Sequence, residues 1–258
     1  GRVLVVGGST RIPGASILAA TAALRVGAGK LQVATSRTVA MAVAVALPEA
    51  KVSGLTTDLH GEVTSLGREV VADVEGADAV LVGPGMLETP ATQRVATTVL
   101  RRARAVVLDA GALRSVMRGG GAVRVITPHL GEMASLLGID ASEVEAHALD
   151  IARDFAAEYD ATVVLKSAET VIANPKGQAW LHTRGCAGLG TSGSGDVLAG
   201  LICGLMAQGA SPDQAAVWGV ALHGRAGERL VRESGSTGFL AREIAACVPR
   251  IRDELRRG

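Results

Sequence analysis

Five glycines fall within residues 185–195, and a single carboxylate, Asp196, stands between them and an apolar run that reaches residue 208. If a helix starts at residue 194, its free N–H groups and the positive end of its dipole face this loop. Glycines let that backbone close on a bulky anion without interference from a Cβ, and phosphate is the natural guest. Thr191, Ser192 and Ser194 add hydroxyl donors. An Asp in the first helical turn is stabilised by the same dipole, so Asp196 is expected to be ionised at neutral pH. Beside a phosphate it would take the proton from a hydroxyl that attacks phosphorus. The competing structural reading makes Ser194 an N-cap, Asp196 a favourable first-turn acid and the glycines a loose loop.

Other chemistry-bearing residues close strand-like runs. Lys166 ends TVVLK and is followed by Ser167, Ala168, Glu169 and Thr170; a lysine there can hold a phosphate as a point charge or lie solvated in a turn. In residues 127–132, TPHLGE, Pro128 presets φ for a helical turn. Either Thr127 caps that helix and His129 is solvated, or His129 faces a ligand cleft with Glu132 one turn on. Gly83-Pro84-Gly85 permits close backbone approach to a ligand, or is a plain turn. Asp109, at the end of AVVLD, reads as an Asx-type turn residue in preference to a polar group in the cleft.

These residues need strands to carry them. Apolar runs at 3–6, 31–35, 51–55, 79–83, 105–109, 123–127 and 162–166 alternate with helix-like runs at 14–26, 38–46, 89–102, 130–137 and 142–159, the last read as one long amphipathic helix. Residues 170–173 and 178–182 flank a turn and form a hairpin. Helices at 194–208, 212–233 and 239–257 complete the chain. Strands apolar throughout, alternating with helices, imply a parallel sheet covered on both faces. Ligands gather at the carboxyl ends of such strands, where most of the unusual residues lie. The opening directly on a strand leaves room for an upstream segment.

Several classes are excluded. There is no GxxxxGK[ST], HExxH or GxSxG, and the five histidines do not cluster at metal-ligand spacing. A nominal GxGxxG at residues 188–193 lacks the following strand that a dinucleotide fingerprint requires. The net charge of +1 and 2% aromatic content give neither a field for nucleic acid nor a base-stacking platform. No signal peptide or membrane-spanning run is visible. Three scattered cysteines indicate a reduced cytoplasm rather than a disulfide framework.

The ordered set GGSTRIPGASILAATAALRVGAGKLQVAT, VLVGPGM, VVLDAGAL, VITPHLGEMASLLG, VVLKSAETVIANP and GLGTSGSGDVLAGLICGLMAQG resembles the ADP-dependent NAD(P)H-hydrate dehydratase family over nearly the whole chain. The resemblance implies a ribokinase-like three-layer αβα sandwich with a mainly parallel central sheet, in one domain over residues 1–258. It implies repair of NADH or NADPH hydrated at C6, with ADP as phosphoryl donor and Mg²⁺ on its phosphates. Carried over by position, Ala15, Gly85, His129 and Asp196 hold the hydrate, with Asp196 as the base. Lys166, Ser167, Ala168, Glu169 and Thr170, with Gly193, Ser194 and Gly195, hold the nucleotide. Glu132 is a candidate outer-shell partner. Family members tend to be homotetramers, and some carry an epimerase domain, fused or separate. Ser167 replaces the family's usual glycine, and Gly111 replaces the second Asp of Asp-Ala-Asp-Ala-Leu. The nearest rival is a small-molecule kinase of the same fold acting on a vitamin-precursor alcohol, whose relatives tend to carry Asn where this chain has His129. A non-catalytic nucleotide sensor is a third reading, which an intact Asp196 disfavours.

Overall fold

The computed structural model describes residues 1–257. In chain order its elements are β1 (Arg2–Val6), α1 (Pro13–Arg25), β2 (Lys30–Ser36), α2 (Ala40–Ala46), β3 (Ala50–Thr57), β4 (Val63–Ser65), α3 (Arg68–Gly76), β5 (Ala79–Val82), α4 (Pro90–Arg102) and β6 (Ala105–Leu108). A 3₁₀ segment, Ala110–Arg118, then leads to β7 (Val123–Ile126), α5 (Leu130–Leu137), α6 (Ala141–Ala146), α7 (Ala148–Tyr159), β8 (Thr162–Leu165), β9 (Thr170–Ala173) and β10 (Ala179–His182). After a short 3₁₀ turn, Ala187–Gly190, come α8 (Ser194–Ala207), α9 (Pro212–Ser234) and α10 (Ala241–Arg257).

The strands form one sheet in the order β10-β9-β8-β7-β6-β5-β1-β2-β3-β4. The seven from β8 to β3 pair in parallel. The β8–β9, β9–β10 and β3–β4 pairings are antiparallel. Val80, Val82, Val106, Leu108 and Ile126 face a core shared with α3 to α7, whereas Val3, Val5, Leu81, Val107 and Val125 face α1, α2, α8 and α9. A further cluster joins α1, α8, α9 and α10. The result is the expected αβα sandwich. Strand order reverses direction at β1 and β5, a switch point where the strand ends diverge and leave a crevice. The loops that leave these two strands carry Gly7-Gly8 and Gly83-Pro84-Gly85.

Three differences from the sequence reading have physical causes. The helix expected over 142–159 is two helices, broken at His147 (φ −122°, ψ 28°). Val144, Ala148, Ala152 and Phe155 all reach the same core, so the apolar phase runs through the break and hides it. Strand β4, helix α3 and the Ala110–Arg118 segment had no counterpart in the sequence reading. Residue 50 starts and residue 57 ends a β3 longer than expected, because Ala50 already pairs with β2 and, beyond the last β2 partner at Leu55, Thr56 and Thr57 pair with β4.

Helices α1 and α8 meet through backbone. A Cβ on Gly200 would lie 2.1 Å from the Ala19 carbonyl oxygen, and one on Gly204 would lie 2.8 Å from that of Ala23. The two contacts are one turn apart on both helices. Stepping one turn back in the same register brings Asp196 level with Ala15, so this packing lines up the first turns of both helices. Gly200→Ala is expected to force the helices apart and cost roughly 1–3 kcal/mol, read as a lower urea midpoint. An unchanged midpoint would contradict the backbone contact.

Candidate active site

The glycine loop behaves as its composition suggests. Gly193 is the N-cap of α8 in the left-handed region (φ 87°), a conformation glycine adopts without steric cost. Ser194 is therefore not the cap. It is the first helical residue, buried, with its Oγ 2.9 Å from Nε2 of His223 on α9. His223 is half-buried at the cleft wall, and loss of hydration there pushes its pKa down to about 4, so it is neutral at physiological pH. The sequence reading excluded a histidine metal cluster and singled out His129 alone, with no role for His223. Nothing in the local sequence brings residues 194 and 223 together; only the packing of α8 on α9 does so.

Lys166 stands over the start of α8: a Cβ on Gly195 would lie 3.2 Å from its Nζ. The ammonium is 3.2 Å from Asp109 Oδ1 and 3.8 Å from Glu132 Oε2. Burial works against its charge, but the carboxylates of Asp109 and Glu132, the hydrogen bond to Asp109 and the charge of Asp196 outweigh it, and its pKa is raised. Asp109 is buried and makes no side-chain cap. It accepts from Thr127 Oγ1 at 2.7 Å as well as from Lys166. The Asx-turn reading is thus replaced by the polar-cleft one. Thr127 likewise does not cap α5; His129 does. Its Nδ1 accepts from the Glu132 N–H at 3.1 Å, while Glu132 Oε2 accepts from the His129 N–H at 2.7 Å, a reciprocal capping box. The capping bond fixes the His129 ring. The β7 and β8 ends stay in register, with the Lys166 N–H donating to the Pro128 carbonyl at 2.8 Å.

These groups decide the state of Asp196. Its pKa is raised from 3.8 to about 7, first by burial and next by the negative charge of Asp109; Lys166 opposes this and Glu132 adds to it. The expectation of a fully ionised carboxylate is corrected. A rise of this size is worth roughly 4 kcal/mol at about 1.4 kcal/mol per tenfold. A helix N-terminus supplies only about 0.3–1 kcal/mol to an exposed anion, so the dipole loses. A carboxyl poised near neutrality accepts a proton more readily than an ordinary aspartate.

A cleft of about 760 Å³ opens beside this cluster. Its walls include His129, Lys166, Ser167, Ala168, Thr170, Ser194 and Gly195, with His182, Thr191 and His223. Glu169 points to solvent instead, and Gly193 packs beneath the loop against Leu18. Ser167 Oγ donates to the Glu169 carbonyl at 2.6 Å, so this departure from the family glycine closes its own turn. Ala15 and Gly85 lie together at the β1/β5 switch point. A Cβ on Gly85 (φ 66°) would come within 2.9 Å of Ala15 Cβ. The second departure, Gly111, also has a steric reading: a Cβ there would lie 2.5 Å from the Met86 carbonyl oxygen.

The site thus brings together a glycine loop at a helix start, a cation above it, a carboxyl raised to near neutrality and a glycine-walled recess. The raised pKa of Asp196 fixes a stability signature. The folded state binds this proton more tightly than the unfolded chain does, so its effect is absent below about pH 4 and stability is lost as pH rises toward 7. Asp196→Asn is therefore expected to raise the melting temperature at pH 8 and leave it nearly unchanged at pH 4. Equal effects at both pH values would contradict the shift.

Comparison with known proteins agrees with this geometry. The family model described as NAD(P)H-hydrate dehydratase matches residues 3–250. An ADP-dependent (S)-NAD(P)H-hydrate dehydratase of Xanthomonas campestris is 48% identical over 260 residues, spanning 100% of this chain and 90% of that protein. A bifunctional NAD(P)H-hydrate repair enzyme of Moorella thermoacetica is 39% identical over 96% of this chain, which matches 48% of that longer protein. The crystal structure of the ADP/ATP-dependent NAD(P)H-hydrate dehydratase of Bacillus subtilis, co-crystallised with ATP/Mg²⁺ and soaked with CoA, superposes with a TM-score of 0.85 at 32% identity, covering 98% of this chain and 92% of that one. With the family model matched over residues 3–250 and a relative 48% identical along the whole chain, the chain belongs to the NAD(P)H-hydrate dehydratase family.

Proposed function

We propose that the protein dehydrates NADH or NADPH hydrated at C6 of the nicotinamide ring, with ADP as phosphoryl donor. Hydroxide is a poor leaving group, being the conjugate base of a very weak acid. Phosphate, the anion of a far stronger acid, leaves far more easily. The hydrate hydroxyl attacks the β-phosphorus of ADP while Asp196 takes its proton, and the bond from that phosphorus to AMP breaks. The ring-nitrogen lone pair then expels phosphate from C6. Loss of a proton from C5 restores the double bond, giving NAD(P)H, AMP and phosphate.

The observation that supports this reading is a carboxyl with pKa about 7 in the first turn of α8, directly after the glycine loop and within the field of Lys166. The Ser194 N–H is taken up by the Thr191 carbonyl at 3.2 Å, so the amides of Gly193 and Gly195 are the ones that stabilise charge on the phosphoryl group in flight. Lys166, with the turn through Thr170, holds the nucleotide; Ala15, Gly85 and His129 hold the hydrate.

Among the described residues no group of three or more His, Cys, Asp or Glu side chains is set to hold a metal. Asp109 and Glu132 supply hard oxygens beside the cradle but are already bonded to Lys166, Thr127 and the His129 N–H. This donor set fits Mg²⁺ carried on the nucleotide phosphates and met by the protein through water. Mg²⁺ there would neutralise charge on the phosphates. The free state of all three cysteines supports a cytoplasmic setting, and among the described residues no helix is long and apolar enough to cross a membrane. The exposed apolar side chains of Met41 and Val45 on α2 support a homo-oligomer, for which a tetramer is our reading. A separate or fused epimerase would supply the reactive epimer of the hydrate.

The test is incubation with ADP, Mg²⁺ and authentic hydrate. Reduced-nicotinamide absorbance should return, with one AMP and one free phosphate per turnover. A stable phosphorylated alcohol would identify a kinase instead, and no reaction with ADP or ATP would remove the reading. Asp196→Asn should retain ADP binding and lose at least about 10²-fold in kcat. In the wild type, kcat/KM should fall as pH drops through about 7, where Asp196 becomes protonated. A flat profile down to pH 5 would argue against Asp196 as the base.

A further inference from the structure

We propose that Glu62, in the turn between β3 and β4, is a positioning residue that sets the hydrate-side recess by holding the Gly85–Leu87 segment in place. This rests on the reading of Gly85 as a hydrate contact.

Glu62 is 1% exposed, although it lies next to a solvent-facing loop tip where Leu59 is fully exposed. One carboxylate oxygen, Oε2, accepts from the Leu87 N–H at 3.0 Å. The other, Oε1, is buried with no hydrogen-bond partner. A buried carboxylate with an unpartnered oxygen is costly. A hairpin built for stability alone would not require one.

The surroundings explain where that carboxylate acts. Asp58 Oδ1 accepts from the backbone N–H groups of His60 and Glu62 at 2.9 and 3.0 Å, which shapes the turn. The same turn accepts from Thr10 through the Gly61 carbonyl at 3.0 Å, and Ser9 in turn donates to the Gly85 carbonyl at 3.1 Å. Glu62 therefore closes a ring that joins three loops: the one after β1, the one after β5 and the β3–β4 turn. Two of these loops flank the recess at the switch point. From the opposite side the Leu87 backbone rests on Gly111, where a Cβ would lie 2.5 Å from the Leu87 carbonyl carbon. The segment carrying Gly85 is gripped between a carboxylate and a bare backbone. Glu62 touches none of the groups assigned to ADP, so its effect should fall on one substrate only.

The experiment compares wild type, Glu62→Ala and Glu62→Gln for steady-state kinetics in both substrates and for amide hydrogen exchange. Glu62→Ala should raise KM for the hydrate roughly tenfold, as expected for a lost bond to a charged acceptor, with KM for ADP and kcat little changed. Glu62→Gln keeps an acceptor oxygen and should restore KM toward the wild-type value. Exchange at the Leu87 amide should accelerate in the Ala variant and not in the Gln variant. Gly111→Ala, pushing the same segment from the other side, should also raise KM for the hydrate. An Ala variant that melts earlier but keeps its hydrate KM, or that raises both KM values equally, overturns the proposal. If wild type consumes no hydrate, the functional reading fails by itself, and the Leu87 exchange rate still reports whether Glu62 holds the segment.

Discussion

The burial of one carboxyl group at the start of α8 is the constraint on which the site depends. Asp196 lies where a helix dipole and a lysine favour its charged form, and where desolvation and two further carboxylates oppose it. The opposition wins, and the group titrates near 7 instead of near 4. The cost belongs to the folded state and is borne by the packing around it. Lys166 keeps that cost finite: without its ammonium, Asp109, Glu132 and Asp196 would crowd together with no cation among them. The cluster also explains why the lysine sits at a strand end. Only there can a long side chain reach back across the β6 and β7 termini to Asp109 and forward over Gly195.

Small residues give this chemistry its geometry. Backbone contact between α1 and α8 lets two helix starts, one with Ala15 and one with Asp196, stand at one level above the sheet. The β1/β5 switch point opens the recess between them. The glycine loop borders the other half, the cleft walled by Lys166, Ser194 and Gly195. Local propensity contributes little to α8, which is nearly apolar all round and buried almost throughout. Tertiary packing holds it, and its polar function is confined to the first turn.

Much of this was legible in the residue pattern. The alternation of strands and helices was enough for the layered fold, and the glycine loop with its acid announced the start of a helix. Lys166, His129 and Gly85 were marked by their places at strand ends. The rest depended on long-range packing. Asp109 resembled a turn residue because the sequence does not reveal that Lys166 and Thr127, 57 and 18 residues away, converge on it. The ionisation of Asp196 was misjudged for the same reason: the dipole is local and readable, whereas burial and the Asp109 charge are not. His223 and Glu62 carried no local signal, since their partners lie on other elements. The break at His147 was invisible because the apolar phase continues through it.

The central claim is a protonation state, and it can be measured without substrate. Infrared difference spectra of the ¹³C-aspartate-labelled protein, taken against Asp196→Asn across a pH series, isolate the carboxyl of residue 196. The account predicts a C=O band of the neutral acid that disappears with a midpoint near pH 7. A midpoint near 4, the value of an ordinary solvated aspartate, would contradict it.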